Sequence, residues 1–455
     1  MSTHPHAALA AHRFGLGEPD LTAIGADPRG WLRQQIGPAD PQVGAGAAAM
    51  PGSVAAMLVQ DEARRQVASA GRDDLRDELR KLVQGDVRAR LVTASTTRRP
   101  FTERLAMFWT NHFTVAGTKG STRGLVGAFE REAIRPHVAG RFVDLLSAST
   151  THVAMHRFLD NQLSAGPNSR VVQRLAARSR EATPPTPARL TGLNENLARE
   201  LLELHTLGAS AAAGRHGPWG GYNQADVTSV AAVLTGWRGA FDANWHEPGE
   251  KTVLNNRYSG GQGELGALLL DLSREPATAR FIATKLARYF VADDPPPALV
   301  NALAAAFSAS DGDLPTVYRA LIDSPLAWVD SASKLKTPEE FVVSTARLLR
   351  LGDKIAARAA DAGVGLMGQR LHATPSPAGW PDQAQEWLGP EAVWQRIEWS
   401  ARLAERIGSS VDARALAEAS LGPLLGPATR QQIDRAADAP QALALLLMSP
   451  EFQRR

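Results

Sequence analysis

The sequence contains no cysteine in its 455 residues. This absence excludes thiol catalysis, disulfide bonds, and zinc or iron–sulfur sites held by cysteine. The chain also has no run of about 18 apolar residues, the length that crosses a bilayer, and its N-terminus lacks the apolar stretch of a secretory signal. We therefore predict a soluble cytoplasmic protein without membrane association.

An excess of charge of one sign is also missing. Lysine and arginine total 50 against 47 aspartate and glutamate residues, which leaves a net charge of +3. The densest basic run, residues 170–189, is interleaved with alanine and ends near prolines. Nucleic-acid binding usually needs a basic patch or stripe, so we predict no nucleic-acid partner.

Alternating strand patterns are nearly absent, whereas helical periodicity recurs along most of the chain. This pattern predicts an all-α, multi-helical globular protein with long irregular loops at 165–191, 237–263 and 365–389. Asn223 is placed to cap the helix that follows it. The length predicts one helical unit over 1–407, with two lobes meeting near residue 265 as an alternative, and a short C-terminal helical tail, 408–455, packed on it.

Residues 194–208 (NENLARELLELHTLG) are the densest group of chemically capable side chains. At 100° per residue, Asn196, Glu200 and Glu203 share one polar face, while His205 falls among leucines. Such a face is typical of a site. It is equally typical of a solvated helix, whose charge pairs four residues apart contribute roughly 0.2–0.5 kcal/mol each. The sequence leaves both interpretations open.

The spacing of possible metal ligands argues against two common metal sites. Carboxylate-bridged di-metal centres use Glu-x-x-His, whereas Glu203 and His205 stand two apart. His152 and His156 stand four apart, but the glutamate of the metalloprotease pattern is missing between them. The metal and any cofactor stay unknown at this point.

Three further residues are candidates from their local surroundings. His112 lies among aromatic residues, where a histidine is either a core residue or a base or metal ligand. His246 lies in a loop with acids and a lysine, which suits acid–base work or a simple polar turn. Trp380 belongs to a proline-rich aromatic segment that either stacks on a ligand or packs on helices.

Together, several ordered motifs resemble the bacterial family catalogued as domain of unknown function 1800. They are RFGLG (13–17), FWTNHF (108–113), FEREAIRP (129–136), LDN (159–161), residues 194–208, YNQADV (222–227), LTGW (234–237) and GWP (379–381). The resemblance implies a helical fold, frequent export, and a sulfatase-like partner protein. This chain departs from the family pattern by lacking the export signal, and by carrying Asn223 for threonine, His246-Glu247 for a His-Asp pair and Asn255 for glycine.

We therefore hypothesise an enzyme of unknown substrate whose polar cleft combines these motifs. Glu200 or Glu203 would be the general base or metal ligand, and His112 or His205 the acid–base partner. The remaining candidates are Asn196 to orient the substrate, His246 as a further catalytic residue, and Asp160, Asn161 and Trp380 for substrate binding. The alternative is a non-catalytic binding or scaffold protein that acts with the sulfatase-like partner and uses the polar helix as a salt-bridge strut.

Overall fold

The computed structural model describes residues 6–42, 44, 48–65, 71–181, 192–212, 221–329, 333–357 and 359–455. The first half holds α1 (Ala7–Leu9), α2 (Pro28–Arg33), α3 (Ser53–Arg65), α4 (Gly71–Thr96), α5 (Pro100–His112), α6 (Val126–Phe129), α7 (Phe142–Thr151), α8 (Val153–Phe158), α9 (Arg170–Glu181), α10 (Asn196–Glu200) and α11 (Gln224–Leu234). The second half holds α12 (Gly263–Arg274), α13 (Pro276–Phe290), α14 (Pro297–Ala309), α15 (Leu314–Asp323), α16 (Pro338–Leu348), α17 (Pro390–Ile407), α18 (Ala413–Leu421), α19 (Pro427–Asp434), α20 (Ala439–Met448) and α21 (Pro450–Gln453). The predicted all-α class is confirmed.

Local chemistry fixes where several helices begin. Asn223 Oδ1 accepts from the backbone nitrogens of Ala225 at 2.7 Å and Asp226 at 3.2 Å, and Asp226 accepts from Asn223 N at 2.9 Å. This reciprocal capping box satisfies backbone donors that a helix start leaves unpaired. The predicted Asn223 cap is confirmed. Asparagine caps the helix at a position where the family resemblance implies threonine.

One small sheet lies in the segment predicted to be irregular. Strand β1 (Lys251–Val253) pairs antiparallel with β2 (Asn256–Tyr258). The turn between them places Leu254 at φ 48° and Asn255 at φ 68°. Asparagine tolerates positive φ better than other non-glycine residues, which explains how Asn255 replaces the family's glycine. Leu254 N also donates to Asp226 at 2.9 Å, which ties the turn to the start of α11.

Three helices continue into wide π-helical turns, at Ala10–Phe14, Glu130–Ile134 and Leu201–His205. Such turns are rare in proteins as a whole. Those that do occur are often found at functional sites. The last one follows α10, so the stretch predicted as one regular helix begins at Asn196 and widens from Leu201. Glu203 and His205 are therefore rotated from the positions expected at 100° per residue.

The core forms two adjoining buried clusters. The larger one is rich in aromatic residues, including Phe14, Phe101, Trp109 and Phe290. The smaller one lies around Phe341 and joins α16 and α17 with α18, α19 and α20. The domain boundaries stay a prediction. In the described ranges, no helix combines the length and apolar character needed to cross a bilayer.

Candidate functional site

A buried ionic network joins α4 and α5 with the π-helical turn Glu130–Ile134. Arg90 Nη1 lies 2.5 Å from Glu130 Oε2, and Arg135 lies 2.5 Å from Glu103 and 3.0 Å from Glu130. Arg90 also binds Glu339, with Nη2 3.1 Å from Oε2. Burial alone would raise the pKa of Glu130, but Arg90 and Arg135 outweigh it and hold this pKa below its usual value. Arg135 therefore serves this network and does not pair with the carboxylates of α10.

Beside this network lies a cavity of about 70 Å³ between α5, α13, α16 and the loop that contains Trp380. Asn111 fixes the loop: its Nδ2 donates to Trp380 O at 2.8 Å, and its Oδ1 accepts from Trp380 N at 2.8 Å. Gly379, at φ 85°, lets the loop approach, because a Cβ there would lie 2.5 Å from Asn111 O. The polar residues lining the cavity include Arg90, Thr110, Asn111, Thr114, Tyr289, Thr337, Glu339, Glu340, Gln369, His372, Thr374, Trp380 and Asp382.

Three polar side-chain atoms of this lining are buried without a hydrogen-bond partner among the described residues. They are His372 Nε2, Thr374 Oγ1 and Trp380 Nε1. Desolvation lowers the pKa of His372 to about 4, so its ring is neutral at pH 7. A buried polar atom without a partner costs roughly 1–3 kcal/mol, and native proteins rarely leave several together. Of the predicted substrate-binding residues, Trp380 lines this cavity.

His112 and His205 are brought together on the far side of α5. His112 Nε2 donates to the backbone oxygen of His205 at 3.2 Å, and the ring centroids are 6.2 Å apart. Burial, and then the charge of Lys285, lower the pKa of His205 to about 3 and that of His112 well below its usual value. Both imidazoles are therefore neutral at pH 7.

Lys285 is a candidate site residue that was not predicted from the sequence. Desolvation lowers its pKa to about 8, against the opposing charge of Asp382. Asp382 lines the cavity, and its charge acts on Lys285, which is not itself one of the lining residues. The sequence does carry a signal for Lys285, which is a single cation on the apolar face of α13. It lies three residues after Ile282 and four before Tyr289, and both of these residues are buried.

The predicted carboxylates Glu200 and Glu203 lie away from this cavity. Both are half-buried, Asn196 is exposed, and none of these three residues lines the cavity. Burial, and then the nearby charge of Glu203, raise the pKa of Glu200. Within the described residues no hydrogen bond or ion pair reaches either carboxylate, whereas Glu195 pairs with Arg199 at 3.0 Å.

Replacing Glu200 with glutamine should therefore raise the thermal midpoint slightly at pH 8. An acid whose folded pKa is raised stabilises the fold at low pH, and this contribution is lost as the pH rises through the folded pKa. We expect Glu200→Gln to gain less than about 1 kcal/mol at pH 8 and still less at pH 6, measured by thermal unfolding. Glu195→Gln is the matched control and should lose stability. A comparable loss in Glu200→Gln would show that Glu200 is a paired strut.

His246 belongs to a separate buried cluster. Its Nδ1 donates to Thr235 O at 2.8 Å, and its Nε2 lies 2.8 Å from Glu264 Oε1 and 3.2 Å from Lys251 Nζ. Lys251 completes the cluster at 3.0 Å from Glu264. The carboxylate beside His246 thus comes from α12, not from the adjacent Glu247. No local sequence pattern indicates this contact, because Glu264 lies on a different element from His246 and only the tertiary fold brings the two together.

Asp160 and Asn161 hold the backbone near that cluster. Asp160 has φ 59° and pairs with Lys119 at 2.6 Å. Asn161 Nδ2 donates to the backbone oxygens of Leu234 and Trp237, both at 3.0 Å. Neither residue lines the Trp380 cavity. The structure therefore distributes the predicted site residues over distinct places, and their functional roles stay predictions.

In the part of the chain that the structure describes, no group of three or more histidine, aspartate or glutamate side chains is placed to hold a metal ion. His152 instead binds Glu132 at 2.9 Å and accepts from Ala154 N at 3.1 Å, which caps α8.

Of three comparisons with known proteins, one places the chain. Neither a curated protein nor a solved structure shows significant similarity to it. A family model described as Protein of unknown function (DUF1800) matches residues 9–454, which is nearly the whole chain. With the motifs that lie along the same span, this match shows that the chain belongs to the DUF1800 family.

Proposed function

We propose that this protein is an enzyme that binds a small polar molecule in the Trp380 cavity and performs proton-transfer chemistry there. The observation that carries the proposal is the set of three unpaired buried atoms on residues that line the cavity. Trp380 Nε1 only donates, Thr374 Oγ1 donates and accepts, and the neutral His372 ring can do either. A ligand with both hydroxyl and carbonyl or carboxyl groups would satisfy all three.

Tyr289 lines the cavity, and Lys285 is coupled to the cavity through the charge of Asp382. Burial, and then the charge of Glu340, raise the pKa of Tyr289, so its hydroxyl is a proton donor at neutral pH. Lys285 has a pKa of about 8, so a fraction of its amine is neutral and able to accept a proton. In this proposal the neutral His112 and His205 keep the surroundings of Lys285 poorly solvated. They are positioning residues, and the proposal gives Glu200, Glu203, Asn196 and His246 no contact with the ligand.

Removing single donors from the cavity should weaken ligand binding without unfolding the protein. A lost hydrogen bond is worth about 0.5–1.5 kcal/mol, so Trp380→Phe and Thr374→Val should each weaken binding about three- to tenfold. Ligand-observed NMR with pools of hydroxy acids, amino acids and sugars would identify a ligand and measure this change. The control is Trp394→Phe, whose side chain is 58% exposed on α17.

Two results would contradict this proposal. One is that no pooled compound binds. The other is that a bound compound is held equally well by Trp380→Phe, Thr374→Val and the wild type, because its site would then lie elsewhere.

A second candidate function is supported by an exposed apolar patch on and beside α17. Leu366, Leu388, Trp394 and Ile397 are 39–63% exposed. Exposed apolar patches mark interaction surfaces in many proteins. We propose this patch as the contact for the sulfatase-like partner that the family resemblance implies. Co-purification of the two proteins should be lost in Trp394→Ser, whereas Leu58→Ser, an equally exposed position on α3, should retain it.

A further inference from the structure

A second buried cluster, the Lys336 cluster, consists of Arg104, Lys336, Glu340, Arg396 and Arg455. All five side chains are at most 4% exposed. Glu340 pairs with Arg104 and with Arg455 Nη2, the latter at 3.0 Å. The adjacent carboxylate, Glu339, is bound to Arg90 instead. Four cationic side chains therefore surround a single carboxylate.

Several donors of this cluster have no acceptor. Lys336 Nζ, Arg104 Nη2 and Arg396 Nε are buried without a hydrogen-bond partner in the described chain. Lys336 Nζ lies 4.2 Å from the centre of the Phe452 ring, a contact that favours an ammonium group. Buried cations without partners are strongly unfavourable. A negatively charged acceptor beside these donors would offset this cost.

We propose that the Lys336 cluster binds one small monovalent inorganic anion of the size of chloride. Such an anion accepts hydrogen bonds from several N–H groups. It carries no hydrogen of its own that would need an acceptor. Larger oxyanions are disfavoured, because the packing around these side chains leaves them almost no exposed surface. Glu340 and its neighbour Thr337 also line the Trp380 cavity, which gives ions a route from that side.

The pH dependence of anion binding follows from the electrostatics of the site. The charged and titratable groups that face Lys336 from the surrounding elements are Arg104, Glu340, Arg396, Arg455 and His12. Burial, and then Arg104, hold the pKa of Lys336 well below its usual value. A bound anion raises this pKa again, so binding takes up a proton, and the anion affinity increases as the pH falls. Burial lowers the pKa of His12 to about 3, so His12 stays neutral throughout the tested range.

The experiment compares chloride with gluconate, which is too large for the cluster, at constant ionic strength and at pH 6.5, 7.5 and 8.5. We expect chloride to raise the thermal midpoint of the full chain. The half-saturating chloride concentration should increase up to tenfold per pH unit, as one linked proton requires. Broadening of the chloride NMR signal by the protein would measure binding independently of unfolding.

Lys336→Met removes the ammonium while keeping the length of the side chain, and it should abolish the chloride effect. The matched control is Lys251→Met, because Lys251 is also buried but is saturated by Glu264 at 3.0 Å. Lys251→Met should be less stable and yet keep the chloride effect.

The inference does not depend on the proposed function, since it concerns a different set of side chains. Equal midpoints in chloride and gluconate at every pH would overturn it, and Lys336 would then be a neutral amine. Loss of the chloride effect in both variants would overturn it as well. If Lys336→Met fails to fold, wild-type crystals soaked in bromide decide the question: an anomalous peak at Lys336 supports the site, and its absence there contradicts it.

Discussion

Lowering the pH from 7 to 5 is expected to bring the protein close to unfolding. Four fully buried histidines stay neutral in the folded state: His12, His112, His156 and His205. Burial, as the largest cause for each, lowers the pKa of His12 and His205 to about 3, that of His156 to about 4, and that of His112 well below its usual value. In the unfolded chain these rings take up protons near pH 6.5.

The sign of the effect follows from proton linkage. Below pH 6.5 the unfolded state binds more protons than the folded state, so the free energy of unfolding falls with pH. Each histidine lowers it by about 1.4 kcal/mol per pH unit once well below 6.5. The four together remove about 8 kcal/mol by pH 5, which is comparable with the total stability of a typical domain, about 5–15 kcal/mol.

Urea unfolding at pH 7, 6 and 5, followed by near-UV circular dichroism, measures this loss. His156→Leu removes one titrating ring and should recover about 2 kcal/mol at pH 5 relative to its own stability at pH 7. Met155→Leu changes the packing of the neighbouring buried position without removing a titrating group. It should change the free energy of unfolding, relative to the wild type, by the same amount at both pH values. An unfolding midpoint that does not change between pH 7 and 5 would rule out buried neutral histidines.

The second large effect is expected from Glu130→Gln. Glu130 binds Arg90 at 2.5 Å and Arg135 at 3.0 Å inside the core. Glutamine keeps the shape but removes the charge, so both arginines lose a buried counter-charge. Breaking a buried ion pair in this way typically costs about 3–5 kcal/mol.

Urea unfolding at pH 7 would measure this cost, with Glu195→Gln as the surface control. The pair of Glu195 with Arg199 is exposed, so its loss should cost less than about 1 kcal/mol. Because the pKa of Glu130 is depressed, its contribution is present above about pH 4.5 and is lost as the pH falls through its folded pKa. Similar losses in the two variants would mean that Glu130 is solvated and that the network is weak.

The helical class and the Asn223 cap follow from patterns within a few turns of chain. Hydrophobic period, capping residues and turn residues act over such short distances, so one sequence suffices to predict them. The π-helical turn at Leu201–His205 was missed, because its letters also fit a regular helix.

The pairing of buried charges could not be read in the same way. Glu340 meets Arg455 across 115 positions and Arg104 across 236, and Arg90 meets Glu339 across 249. No periodicity carries information over such separations. Glu200 and Glu203 were predicted as site residues because they share one face of a helix. Burial and charge pairing nevertheless act more strongly on Glu130, Glu340 and Lys285.

The sequence by itself determined the helical fold and the family. Only the tertiary structure decided which side chains lose their water and which charges they meet. Desolvation and Coulomb interaction depend on distance in space, and this distance is set by the packing of helices far apart in the chain. His112 and His205 thus became neutral core neighbours, and Trp380 became the wall of a cavity.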